Sequence, residues 1–173
     1  MIPLSFQPAL DPYHAVYRIL RLFPLIKRHG ALHRDQVRIV DYYLLNPHRI
    51  SEIRLTPKHR KYKSLATLYA PRKPYGQQPE DQILFGRMEP MQNAALQTLA
   101  VRGLLDPGDL QVARIKPTDT LIPEELNKRI TAANEEDGPL IEFLDVFASE
   151  YELSGTNGLK ARTGLLEHRY DTV

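Results

Sequence analysis

The chain has 173 residues, 23 Lys+Arg against 21 Asp+Glu, 42% hydrophobic residues and no cysteine. Its length suits one compact domain or two very small ones, burying roughly two thirds of the unfolded surface without a disulfide or metal to hold it together. Thiol catalysis, disulfide scaffolds and Cys-ligated zinc are excluded. Apolar runs such as Leu22 to Ile26 fall far short of the roughly 20 residues a membrane helix needs. Met1 to Leu10 lacks the basic start and apolar core of a signal peptide, so the expectation is a cytoplasmic protein, present at its whole length, forming one domain over residues 1–173.

Fourteen prolines punctuate the chain, because each fixes its own φ and discourages helix in the residue before it. Pro12, Pro47, Pro90, Pro123 and Pro139 stand where a first helical turn would begin and a missing N–H costs nothing. The first helix is read from about Pro12 to Arg28, with Asp11 as N-cap and Tyr13, Val16, Tyr17, Leu20 and Phe23 as its apolar stripe. Pro24 is expected to bend it or end it early. A second helix follows Gly30, from about Arg34 to Leu45, burying Val37, Val40 and Leu44. A short third runs from Asn46 as cap to about Arg54. Residues 11–55 thus read as a helical unit with tight connections.

Residues 56–88 form a basic, irregular segment bracketed by Pro57, Pro71, Pro74, Gly76 and Pro79, with one short helix from Tyr62 to Tyr69. Order returns at Pro90, where Met88 or Glu89 caps a helix to about Arg102, and Gly103 takes the C′ position. Leu104 and Leu105, the turn Asp106-Pro107-Gly108-Asp109, and Leu110 to Ile115 then read as two short strands joined by a loop. A helix running into a hairpin is the pattern of winged-helix domains, so residues 89–118 are expected to form a winged-helix-like unit. The acidic part, 119–173, reads as helices from Pro123 to about Ala133 and from Pro139 to about Tyr151. The second carries a clean stripe of Leu140, Leu144, Phe147 and Tyr151, which either covers the domain's own core or docks a partner. The tail, with a weak pattern of Leu159, Leu165, Leu166 and Tyr170, is expected to stay mobile until something binds it. The expected fold class is mainly α with a small β-hairpin, an α+β arrangement of a winged-helix-like unit and flanking helices.

Charge is lopsided. Residues 1–118 carry a net +9 and residues 119–173 a net −7. No acid occurs between Glu52 and Glu80, whereas Arg54, Lys58, Arg60, Lys61, Lys63, Arg72 and Lys73 all do, interleaved with Tyr62, Tyr69 and Tyr75. Cations with aromatics in an irregular segment are what phosphate-backbone binding uses, since Lys and Arg neutralise phosphates and release counterions. A solvated loop or a patch for an acidic protein face is the alternative. Ten acids and two bases lie from Asp119 to Glu152; if the basic segment binds nucleic acid, this third is expected to face away from it.

Catalytic motifs are mostly absent. His29 and His33 have a ligand-like spacing, but Gly30 breaks the helix between them and no carboxylate pattern accompanies them. There is no Gly-rich phosphate loop, G-x-S-x-G elbow or H-E-x-x-H sequence. Asp81 and Glu89 suggest a nuclease carboxylate pair without the following lysine. No enzyme, metal or cofactor is expected.

Several stretches do carry a family likeness: His14 to Arg21, Arg38 to Leu45, Ile53 to Leu55, and Glu89 to Leu96 through Gly103, Leu104 and Leu105. Over roughly residues 10–130 the chain resembles the middle component of bacterial three-component ABC-ATPase systems, a family that includes small subunits of Lamassu-type anti-phage and anti-plasmid defence. The resemblance implies a noncatalytic adaptor beside an SMC-like or Rad50-like ATPase and an effector, commonly a nuclease, that it holds in check until foreign DNA is sensed. In that setting Leu140, Leu144, Phe147 and Tyr151, or the tail, would dock a partner, while Arg54, Lys58, Arg60, Lys61 and Lys63, with Arg72 and Lys73, would lie near DNA or an acidic partner face. The competing class is a stand-alone winged-helix regulator whose recognition helix, Pro90 to Arg102, offers Gln92, Asn93, Gln97 and Thr98 to bases.

Overall fold

A computed structural model describes residues 7–166; Tyr170 and His168 lie outside them. After a 3₁₀ turn at Pro8–Leu10 come α1 (Pro12–Arg28), β1 (Leu32–His33) and α2 (Arg34–Leu45). 3₁₀ turns at Pro47–Glu52, Pro57–Ser64 and Ala70–Arg72 enclose the four-residue α3 (Leu65–Leu68). Then follow α4 (Asp81–Val101), α5 (Pro107–Gln111), β2 (Arg114–Ile115), α6 (Glu124–Glu136), α7 (Gly138–Ser149) and α8 (Leu159–Thr163). The fold is mainly helical with one two-stranded antiparallel sheet.

The helix starts follow local chemistry. Asp11 accepts from the His14 N–H at 2.9 Å and Pro12 takes the first turn of α1. His33 caps α2: its Nδ1 accepts from the Asp35 N–H at 3.1 Å while Gln36 Oε1 accepts from the His33 N–H at 3.0 Å, a reciprocal box. Burial lowers the His33 pKa, in keeping with a neutral ring whose Nδ1 is an acceptor.

Two prolines do not stop their helices. α1 passes through Pro24 to Arg28, and α4 begins nine residues before Pro90 instead of at it. An interior proline costs about 3 kcal/mol. Leu25 and Ile26 beyond Pro24, and Leu84, Phe85 and Met88 ahead of Pro90, are all buried, and at about 1.5–3 kcal/mol per buried side chain their packing outweighs that cost. Pro24 and Pro90 are themselves exposed, so the rings sit where the helices face solvent.

The hairpin expected over 104–115 is also corrected. Asp106 accepts from the Asp109 N–H at 2.9 Å and Pro107 takes the first turn, so Asp-Pro-Gly-Asp starts the helix α5 rather than a strand turn. Ala113, at φ 58, then turns the chain into β2. β2 pairs with β1, with Leu32 opposite Ile115, while Leu105 bridges Pro117. The expected helix at 47–54 is a 3₁₀ turn, and the one at 62–69 begins as 3₁₀ and becomes the α-helix α3 over Leu65–Leu68. The tail is docked as far as it is described: Leu159, Leu165 and Leu166 are all buried.

One core joins these elements. α1 lies between α4, α2 and α6, and α7 covers α2. A buried polar chain runs through it. Arg18 Nε donates to Asp41 Oδ1 at 2.6 Å, Gln92 Nε2 donates to Asp41 Oδ2 at 2.8 Å, and Arg38 Nε donates to Gln92 Oε1 at 3.0 Å. Arg38 also pairs with Asp35 and Glu89.

Candidate functional site

The basic segment and the acidic C-terminal part meet, whereas the expectation from sequence is that the acidic third faces away if the basic segment binds nucleic acid. Lys58 Nζ donates to Glu150 Oε2 at 2.7 Å, and Tyr62 Oη donates to Glu142 Oε1 at 2.9 Å. Arg72 Nη2 donates to Asp137 Oδ1 at 2.6 Å and its Nη1 to Oδ2 at 3.1 Å; Arg21 Nη2, from α1, reaches the same Oδ2 at 2.8 Å. Burial opposes ionisation of Asp137, but hydrogen bonds from Arg72 and Arg21 overcome it and hold the carboxyl below its ordinary value. Part of the lopsided charge of the sequence is therefore an internal clasp, in which Lys58 and Arg72 of the basic segment pair with Glu150 and Asp137.

A second attachment is centred on His59, a residue the charge pattern did not single out. It is buried, with Nδ1 2.8 Å from Tyr151 Oη and 3.2 Å from Thr56 Oγ1, and Nε2 3.2 Å from the Glu150 carboxylate. Of the remaining basic residues, Arg54 donates from its backbone N–H to the Arg162 carbonyl at 3.1 Å and from its side chain to the Ala161 carbonyl. Lys63 Nζ donates to the Ser51 carbonyl at 2.9 Å, and Lys61 Nζ lies 4.9 Å from the centre of the Tyr62 ring. Arg60 and Lys73 are exposed and make no ion pair among the described residues.

The stripe of α7 faces inward. Leu140, Leu144 and Phe147 are wholly buried and Tyr151 is 5% exposed, so the docking surface expected there does not exist in the folded chain. The reason is an aromatic row that the four-residue spacing did not reveal: Phe143 stacks on Phe147 at 5.2 Å, Tyr43 of α2 meets Phe147 at 5.8 Å, and Tyr62 meets Phe143 at 5.2 Å. Helical placement of Phe143 three residues after Leu140 was the signal available.

Asp81 and Glu89 do not converge. They are eight residues apart on α4, roughly 12 Å along its axis. Asp81 accepts from Tyr42 Oη at 2.7 Å and pairs with Arg49, while Glu89 pairs with Arg38 at 3.2 Å. His29 Nε2 lies 2.7 Å from Asp145 and His33 caps α2, so the two histidines have separate duties. Among the described residues no group of three or more His, Asp or Glu could hold a metal ion. Gln92, offered as a base reader, is fully buried and engaged with Arg38 and Asp41.

An open polar cleft of about 650 Å³ lies beside Asp81, lined by His48, Arg49, Glu52, Lys73, Glu80 and Thr163 among others. Burial, and next the Asp81 carboxylate, raise the Glu52 pKa, while burial, Arg49 and Lys73 lower that of His48. With Arg49 bound to Asp81 and donating to the Pro79 carbonyl at 2.9 Å, the cleft anchors the loop at 74–79.

These features define a small, mainly helical protein whose opposite charges hold its own segments together around a polar, buried spine. Residues 4–171 match the family model for the ABC-three component (ABC-3C) system Middle Component 5, and the chain belongs to that family. Membership in a multi-component ABC system implies partner proteins. Comparisons with curated proteins and with solved structures gave no match. Among the described residues no helix is long and apolar enough to cross a membrane.

Proposed function

We propose that this chain is a noncatalytic adaptor of a Lamassu-type anti-phage or anti-plasmid system, bridging an SMC-like (Rad50-like) ATPase and an effector nuclease in the cytoplasm and keeping the effector inactive until foreign DNA is sensed. The observation that carries the reading is the family match over nearly the whole chain. The separation of Asp81 from Glu89, each held by an arginine, supports a scaffold role rather than hydrolysis. In this reading the exposed Arg60, Lys61 and Lys73 lie on the side of the assembly nearest DNA.

The test is reconstitution with the other two components of its system. A stable ternary complex, in which removal of this chain releases nuclease activity without DNA, is the expected result. Metal-dependent cleavage by the isolated chain, or failure of all three proteins to associate at micromolar concentration, would refute it.

A further inference from the structure

A second cavity, which shares Gln77, Gln78 and Pro79 of the 74–79 loop with the polar cleft, has a different chemistry. It is a groove of about 480 Å³ between the N-terminal 3₁₀ turn, the loop and α4, walled by Leu10, Leu45, Leu84 and Pro79. Among the described residues no acid lines it, and two arginines do, Arg72 and Arg87. Arg72 is already occupied by Asp137. The Arg87 side chain is exposed and makes no hydrogen bond or ion pair among the described residues.

We propose that this groove docks an extended segment of a partner subunit that carries an apolar side chain beside a carboxylate. The apolar side chain fits against Leu45, Leu84 and Pro79, and the carboxylate meets the forked donors of Arg87 at the rim. Ile83, one helical turn before Arg87 on α4 and 49% exposed, extends the apolar surface beyond the groove. Gln77 on the loop offers an amide to the backbone of an extended occupant. Charge complementarity selects the partner: with Arg72 neutralised by Asp137, the one uncompensated cation at the groove among the described residues, Arg87, disfavours a basic segment and attracts an acidic one. The volume of about 480 Å³ is enough for one or two side chains with their backbone.

This inference rests on the adaptor reading, since it needs a partner subunit. The experiment uses the full-length chain with the other two components of its system and follows amide hydrogen exchange with and without them. Slowing of exchange by about tenfold or more in residues 8–10, 74–79 and 83–87 on assembly is expected. Arg87→Glu and Leu10→Asp, both at exposed positions, should weaken assembly on the order of 10- to 100-fold while circular dichroism stays that of the wild type. Arg102→Glu, at the far end of α4, should leave it unchanged. Protection confined to other segments, wild-type assembly by Arg87→Glu, or a homodimer that protects the groove would overturn the proposal. No complex at all with the wild-type chain would instead overturn the adaptor reading.

Discussion

Asp137→Ala tests whether the internal clasp holds the basic segment on the core. Its side chain is 4% exposed and receives three hydrogen bonds, from Arg21 at 2.8 Å and from Arg72 at 2.6 and 3.1 Å. Removing one member of a buried ion pair costs about 3–5 kcal/mol because the other charge is left without a partner. The lower end applies here. Arg72 is 43% exposed and regains water, while Arg21 keeps the Asn134 and Ala133 oxygens. A loss of about 3 kcal/mol lowers Tm by roughly 6–12 °C in a chain of this length. Asp137→Asn should cost less, about 2 kcal/mol, because it keeps shape and one acceptor. The assay is urea unfolding at a series of pH values. A carboxyl whose pKa is lowered on folding contributes fully above its unfolded value of about 3.9 and loses that contribution as pH falls towards the lower folded value. The gap between wild type and variant should therefore be constant from pH 8 to 5 and close below about pH 4. A gap under about 0.5 kcal/mol at pH 7, the level of an ordinary surface substitution, would refute the clasp.

Other predictions concern the core and the caps. Asp41→Ala should destabilise by about 3–5 kcal/mol, since Arg18 would remain buried and unpaired; Arg18→Met with Asp41→Leu should recover most of that, as chemical denaturation would report. Phe147→Ala should cost about 3–5 kcal/mol and give a loosened subunit by near-UV circular dichroism, whereas a well-folded variant that merely fails to assemble would contradict its core role. Asp106→Ala should cost about 1 kcal/mol by removing the cap of α5, and an unchanged Tm would mean that the cap is replaced by water or a neighbouring group.

Much of the helical content was legible in the sequence because its signals are local. Asp11 followed by Pro12, the apolar spacing of α2, and Leu140, Leu144 and Phe147 at four- and three-residue intervals each act within a turn or two of the chain. The same residues could not say whether the α7 stripe met a partner or its own core. That was decided by Tyr43 and Tyr62, which reach it from other segments. Pro90 misled for a related reason: its local penalty is readable, while the packing that outweighs it is not. The candidate sites were less legible still. Charge counting found the basic and acidic blocks, yet not that they would pair.

By itself the sequence determined the starts of α1, α2, α6 and α7, the apolar faces of α2 and α7, the imbalance of charge and the likeness to a middle component, all of which depend on near neighbours or on order along the chain. Only the tertiary structure decided which acid meets which base, and that β1 pairs with a strand near residue 115 rather than β2 with a hairpin partner. Arg72 finds Asp137 across 65 residues and Arg21 finds it across 116. Such pairs form only after packing has brought their helices together, so no spacing in the chain announces them, and they leave Arg87 as a cation beside an acid-free groove.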